Sequence, residues 1–170
     1  MVKEVGLTKD KKIKISDGIE IDLEKGEIRL FGIRGVIIDP ISCCKRIDKM
    51  LGSGGEVVIH NMWFEQGYTV FAEMIENNSE KTRERLLEQL ARAQPINGWG
   101  KFSFAIVRRD SPLVEITAEN PPFKTLKGSA KRLVSSFWEG VFSKYFERSV
   151  SSENFEYDAE KDEFKFVLSG

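Results

Sequence analysis

The segment EVVIHNMWFEQGYTVFAEMI, residues 56–75, has the length of a helix but carries apolar side chains around most of its circumference. At a step of 100° per residue these side chains cover roughly 240° of the helical wheel, whereas an ordinary surface helix has an apolar stripe of about 100°. Leaving so many large side chains in water would forgo about 1.5 to 3 kcal/mol for each of them. The segment therefore predicts a helix that lies between two layers, or that faces a partner chain or an apolar ligand.

Length, charge and cysteine content bound the class of protein. A chain of 170 residues with a net charge of −1 can bury one hydrophobic core without disulfides. The two cysteines, Cys43 and Cys44, are adjacent and poorly placed to bond one another, so we expect a reducing, cytoplasmic location. The sequence has no signal-peptide pattern and no apolar run of membrane-spanning length. Acids and bases are interspersed, so neither a membrane span nor a nucleic-acid partner is expected.

The first half of the chain predicts a hairpin followed by three helices. Residues 19–31 alternate apolar and polar on either side of a Lys-Gly turn, as the two strands of a hairpin do. A third apolar run at 35–39 leads to a helix over 40–50 that opens with proline. The helix that contains 56–75 extends to about Asn77. A third helix is expected to be capped by Ser79 and to bury Leu86, Leu87, Leu90 and Ala93 or Ala91.

The second half predicts two hairpins separated by a helix. Residues 101–107 and 113–117 form the first hairpin, and the proline- and glycine-containing stretch 120–128 forms a loop. Apolar residues at helical spacing over 130–147 predict an amphipathic helix, and 152–168 contains two strands around a charged turn. Strands and helices are grouped rather than alternating. The fold class is therefore α+β, an antiparallel sheet packed against a layer of helices, with an N-terminal hairpin.

The domain organisation follows from the start of the patterned segments. Residues 1–18 are interpreted as a polar, flexible leader and residues 19–170 as a single domain. The lysine cluster at 9–14 is interpreted as a solvated tail or an edge strand rather than as a binding arm.

The sequence offers few groups with catalytic or metal-binding chemistry. His60, the only histidine, lies within the apolar arc of its helix. It is a core histidine bonded to a backbone carbonyl, a polar anchor in an apolar cavity, or a catalytic base. With no second histidine, we expect no metal site. The acidic residues around the last turn fit a solvated rim. We therefore expect neither a catalytic constellation nor a cofactor.

The sequence is rich in aromatic side chains, with twelve Phe and three Trp. Any one of them fits a core role, but together they offer more flat, rigid surface than two helices and one sheet obviously require. An apolar pocket with few polar groups has this composition. The candidate ligand-binding residues are His60, Trp63, Phe64, Gly67, Tyr68, Phe71, Phe102, Phe104, Trp138 and Phe142.

The order of these parts resembles the 4-vinyl reductase, or hydrocarbon-binding, domain family. The likeness covers about residue 20 to the end and is carried by KGEIRLFGIRGVIID with the helix to IDKMLG, NMWFEQGYTVFAEMI, and EGVFSKYFERSVSSENFEYDAEKDEFKF. The family includes sensor domains of phenol- and toluene-responsive transcription activators and is related to small subunits of TRAPP vesicle-tethering complexes. The resemblance implies helices that close an apolar cavity against an antiparallel sheet, usually in a homodimer.

The departures from the family pattern also carry implications. The sensor domains bind zinc through cysteines in the last hairpin, where this sequence has Glu156 and Phe164. Trp63 stands where the family commonly has glycine and would fill part of the cavity. TRAPP subunits carry a lipid on a cysteine just after the long helix, but residues 77–83 contain none. With no attached ATPase or DNA-binding segment, a signal would pass to a separate effector protein.

Three functional hypotheses follow. The first is a stand-alone binding domain for a small hydrophobic or aromatic molecule, a sensor or carrier, in which His60 or Tyr68 orients the ligand and Gly67 lets the ligand or a helix approach. The second is a dimeric assembly or adaptor scaffold whose cavity is closed. The third is a tetrapyrrole vinyl reductase, but no nicotinamide or flavin fingerprint is present, so we expect no enzyme.

Overall fold

The structure is a computed structural model that describes residues 12–16, 19–22, 27–30, 33–35, 40–95, 98–121 and 129–170. The chain divides into two compact units, Met1–Ile38 and Asp39–Gly170.

The first unit contains a four-stranded antiparallel sheet in the order β1-β2-β3-β4. The predicted hairpin is confirmed as β2 and β3, in which Ile21 lies opposite Ile28. An edge strand, β1, falls within the predicted leader and pairs with β2 in antiparallel orientation. Residues 36–39 of the third apolar run lie outside the described residues. The strands are β1, Lys12–Ser16; β2, Ile19–Asp22; β3, Glu27–Leu30; and β4, Ile33–Gly35.

The second unit combines helices with another four-stranded antiparallel sheet, in the order β5-β6-β8-β7. The α+β class is confirmed. Of the predicted loop at 120–128, residues 122–128 lie outside the described residues. The elements are α1, Pro40–Leu51; α2, Gly54–Asn77; α3, Arg83–Ala93; β5, Lys101–Arg108; β6, Leu113–Glu119; α4, Ser129–Phe146; β7, Ser151–Asp158; and β8, Glu163–Ser169.

One face of this sheet is apolar because large side chains of neighbouring strands lie opposite one another. Phe104 pairs with Ile116, which pairs in turn with Phe166. This face packs against α4, where the Phe102 ring centroid lies 5.3 Å from that of Trp138. Cross-strand rows of this kind are the unit of sheet stabilisation.

The cap of α3 differs from the prediction. Thr82, not Ser79, precedes the helix with an extended backbone, and its hydroxyl accepts a hydrogen bond of 3.3 Å from the Arg85 N–H. Ser79 lies in the turn between α2 and α3. The predicted apolar stripe is confirmed, because Leu86, Leu87, Leu90, Ala91 and Ala93 are all buried.

The enclosed helix of this unit is α4. Of the three alternatives for α2, a position between two layers is therefore wrong, whereas contact with a partner chain or an apolar ligand stays a prediction. Every residue from Leu133 to Ser143 is buried. By contrast, α2 buries one face, while Val57, Val58, Met62 and Tyr68 are exposed. The sequence did not indicate that α4 is the enclosed helix, because α4 contains polar residues. It buries three serines and a glutamate whose hydrogen bonds are made inside the protein.

Helices α2 and α4 run side by side in the same direction. Contacts between them join residues 76 positions apart, first in the Glu56–Arg132 ion pair and then in the His60–Ser136 hydrogen bond. The ammonium group of Lys144 lies 5.5 Å from the ring centroid of Tyr68, which continues the same spacing. Because both partners advance together along the chain, the two helices are parallel.

The backbones of α2 and α4 touch where glycine removes the side chains. A Cβ atom on Gly67 would lie 2.0 Å from the carbonyl oxygen of Phe137, and one on Gly140 would lie 2.0 Å from that of Phe64. Real Cβ atoms do not approach backbone atoms so closely. Both positions therefore require glycine for packing.

We expect Gly67→Ala to lower the free energy of unfolding by about 1–3 kcal/mol or more, because the added methyl group overpacks the helix contact. This loss exceeds the roughly 1 kcal/mol that alanine gains over glycine in a helix. The matched control is Gly54→Ala in the same helix, where an added Cβ would meet nothing within 4 Å. Urea unfolding measures both, and equal stability of the two variants would contradict the assignment.

Candidate functional site

A cleft of about 490 Å³ opens between α2, α4 and the start of β7. Its volume lies within the range of small-molecule sites, about 300–1,000 Å³. The lining residues are His60, Asn61, Phe64, Glu65, Arg132, Glu139, Ser149, Val150 and Ser151.

Two titratable groups, His60 and Glu139, lie close together in the wall of the cleft. The Nδ1 atom of His60 lies 2.8 Å from the Ser136 hydroxyl and 3.6 Å from Oε2 of Glu139. The Oε1 atom of Glu139 accepts hydrogen bonds from the Ser152 N–H, at 3.1 Å, and from the Ser152 hydroxyl. The side chain of His60 is 35 % exposed and that of Glu139 only 3 %. The site therefore places a buried carboxylate, that of Glu139, next to a histidine ring that is partly open to the cleft.

The carboxylate is held by hydrogen bonds rather than by an arginine. Arg132 also lines the cleft, but its Nε atom donates to Glu56 at 3.1 Å. A buried carboxylate is costly unless it is hydrogen-bonded or paired. Ser152 supplies the hydrogen bonds to Glu139, and His60 lies 3.6 Å from its other oxygen.

The structure does not place His60 in the core with a hydrogen bond to a backbone carbonyl. Its Nδ1 partner is a serine hydroxyl, and about a third of its side chain is open. That interpretation of the lone histidine is therefore wrong. The remaining interpretations, polar anchor or base, both require a ring that reaches a cavity.

Only His60 and Phe64 among the ten predicted ligand-binding residues line this cleft. Tyr68 is exposed and stacks on Phe64 at a centroid distance of 6.4 Å. Gly67 is the position where α4 approaches the α2 backbone. Phe104 is partly buried, and the others lie within the hydrophobic packing: Trp63, Phe71, Phe102, Trp138 and Phe142.

The buried rings contact one another between α4 and the sheet. Phe104 lies 5.6 Å from Phe142 in an edge-to-face arrangement, and Trp138 lies 6.1 Å from Phe142. The indole N–H of Trp138 is buried and has no acceptor in the described part of the chain. An unsatisfied buried donor costs roughly 1–3 kcal/mol.

Sequence reasoning missed Glu139, Ser136 and Ser152. One signal was present, since Glu139 is the only charged residue between Arg132 and Lys144. A single charge inside an apolar helical stretch usually has a specific buried partner. The partners of Glu139 lie on other elements, so no local pattern in the sequence indicates them.

The cysteine pair lies outside this site. Neither cysteine lines the cleft. Burial raises the pKa of the Cys44 thiol to about 11, with a further contribution from Cys43. Cys44 is therefore a neutral, unreactive thiol near pH 7. Over the ranges that the structure describes, no three His, Cys, Asp or Glu side chains are grouped so as to hold a metal ion.

The fold is similar to that of a known sensory domain. The crystal structure of the phenol-responsive sensory domain of the transcription activator PoxR with phenol matches with a TM-score of 0.68 and 10% sequence identity, over 90% of this chain and 85% of that chain. No protein-family model and no curated protein matches the chain. At this identity the likeness shows the fold, and membership of the 4-vinyl reductase family stays a prediction. No helix among the described residues is long and apolar enough to cross a membrane.

We expect Glu139→Ala to lower the free energy of unfolding by about 1–3 kcal/mol, because the part-buried Ser152 N–H and hydroxyl lose their acceptor. Glu139→Gln should lose less, since its amide oxygen still accepts from Ser152. Glu65→Ala, at an exposed cleft position, is the control and should stay within about 0.5 kcal/mol of wild type. Chemical denaturation distinguishes these outcomes, and a Glu139→Ala protein as stable as the control would refute the structural role.

Proposed function

We propose that this domain binds a small hydrophobic or aromatic molecule and acts as a sensor or carrier. The ligand lies in the cleft, with its ring against Phe64 and Val150 and its polar group at His60. The observation that carries the proposal is the cleft itself, which combines the apolar side chains of Phe64 and Val150 with a histidine that is hydrogen-bonded to Ser136 and lies 3.6 Å from a buried carboxylate. A small number of oriented polar groups beside apolar surface is typical of ligand sites.

The fold supports the same proposal. The PoxR domain is phenol-responsive and its structure contains phenol, so an α+β domain of this architecture accommodates a small aromatic molecule. The buried rings predicted as ligand contacts belong instead to the hydrophobic packing, and Phe64 is the predicted ring that lines the cleft. We place the protein in the cytoplasm, where a signal would pass to a separate effector protein.

We propose binding without turnover. The hydroxyl that His60 contacts belongs to Ser136, which is fully buried and therefore not open to a substrate. His60 accordingly orients a ligand rather than activating a nucleophile.

The direct test is solvent extraction of the purified protein followed by mass spectrometry, together with calorimetric titration of a panel of small aromatics. His60→Ala should weaken binding of any hit by about tenfold, roughly the value of one hydrogen bond. Val107→Ala, at an exposed position on β5 outside the cleft, should leave affinity unchanged. A purified protein that releases no ligand on extraction and binds no member of the panel would contradict the proposal.

A second candidate function, a dimeric assembly scaffold, is favoured by the apolar surface at the start of α2. Val57 is 61 % exposed, and Val58 and Met62 are also exposed. Met50 and Leu51 are exposed at the end of α1, which immediately precedes this segment. We propose that a second copy of this chain covers this surface, since scattered apolar residues need no partner but a group of them usually has one.

Sedimentation velocity tests the dimer. Wild type should sediment as a dimer at micromolar concentration, and Val57→Glu combined with Met62→Glu should yield monomers because the charges cannot be buried unpaired. Thr69→Glu, at another exposed position of α2, is the control and should stay dimeric. A monomeric wild type, or a double variant that remains dimeric, rejects the scaffold.

A further inference from the structure

The buried carboxylate of Glu139 has one well-satisfied oxygen and one poorly satisfied oxygen. Ser152 donates twice to Oε1. Among the described residues, Oε2 makes a longer contact, 3.6 Å to Nδ1 of His60, which is longer than a good hydrogen bond. Because Glu139 lines the cleft and only 3 % of its side chain is exposed, Oε2 is an acceptor whose hydrogen bonding a bound molecule can complete.

The same carboxylate determines what His60 presents to a ligand. A negative charge beside Nδ1 favours the tautomer with the proton on that nitrogen, where it also bonds the Ser136 hydroxyl. In this tautomer the Nε2 atom carries a lone pair. Both groups of the pair therefore offer acceptors, and the ligand that complements them brings donors.

The rim of the cleft adds negative charge. Glu65 is exposed there, whereas the guanidinium of Arg132 is paired with Glu56. Within the lining, the carboxylates of Glu65 and Glu139 outnumber Arg132, and an excess of one sign of charge in a cleft attracts ligands of the opposite sign. A ligand carboxylate would face Glu65 and Glu139, but a ligand ammonium would be attracted by both.

We infer that the cleft selects its ligand by charge, and that an aromatic ring bearing an alkylammonium group binds more tightly than the same ring bearing a hydroxyl, methyl or carboxylate group. The ring lies against Phe64 and Val150, and the ammonium donates to Oε2 of Glu139 and Nε2 of His60. This inference rests on the proposed function, because it assigns a ligand class to the same cleft. Charge-assisted hydrogen bonds are roughly twice as strong as neutral ones.

The test uses four molecules with one ring, namely benzylamine, benzyl alcohol, toluene and benzoate, titrated by calorimetry at pH 7. Benzylamine should bind at least about tenfold more tightly than benzyl alcohol, and benzoate should bind most weakly. Raising the salt concentration should weaken benzylamine binding and leave benzyl alcohol binding unchanged.

Glu139→Gln keeps the shape of the side chain and removes its charge. It should reduce benzylamine affinity by about tenfold and change benzyl alcohol affinity by less than about threefold. Glu115→Gln, at an exposed position on β6 outside the cleft, is the matched control and should alter neither. If Glu139→Gln does not fold by circular dichroism, the ranking and salt dependence with wild-type protein still decide the matter.

The possible results separate this inference from the proposed function. If benzyl alcohol or toluene binds as tightly as benzylamine, charge selection is wrong while small-molecule binding stands. If none of the four molecules binds, charge selection is also wrong, and mass spectrometry of the extracted protein decides the proposed function by itself. Benzylamine binding that survives Glu139→Gln would likewise overturn the inference.

Discussion

The backbone contact between α2 and α4 controls the rest of the second unit. Gly67 and Gly140 lie where a side chain on either helix would collide with a carbonyl oxygen of the other. Because neither residue carries one, the helices approach closely enough for Glu139, the neighbour of Gly140, to be buried within reach of His60. The cleft walls are thus positioned by the absence of two side chains as much as by the chemistry of those present.

The polar groups buried in α4 fix the chain that follows it. The Ser143 hydroxyl accepts a hydrogen bond from the Val150 N–H at 3.1 Å, and Glu139 accepts one from the Ser152 N–H. These contacts hold both ends of the short segment that enters β7 and contributes Ser149, Val150 and Ser151 to the cleft. The buried polarity of α4 therefore has a positioning role, and its desolvation is offset by hydrogen bonds with fixed partners.

Local periodicity predicted the elements well, because strand and helix spacing is written in neighbouring residues. The hairpins of both sheets, the helix opened by Pro40 and the stripe of α3 were all found in this way. Local periodicity did not predict which helix is enclosed, because apolar side chains on α2 remain exposed while serines on α4 are buried. Counting apolar residues does not show whether a polar residue is hydrogen-bonded inside the protein.

The candidate site was predicted only in part for the same reason. His60 and Phe64 were identified because they share one helix, where the wheel relates them directly. Ser136 and Glu139 lie more than seventy positions further along the chain, and only the packing of α4 against α2 brings them to His60. The many buried rings suggested a large apolar cavity, but most of them contact one another.

The constant spacing of the contacts between α2 and α4 limits how this unit can move. Glu56, His60 and Tyr68 each meet a residue 76 positions further on, one after another along the helices. Sliding either helix by a single turn would break all of these links together and force two backbones through each other at the glycines. A displacement of α2 must therefore carry α4 with it, and also β7, the edge strand of the sheet, whose Ser152 is hydrogen-bonded to Glu139.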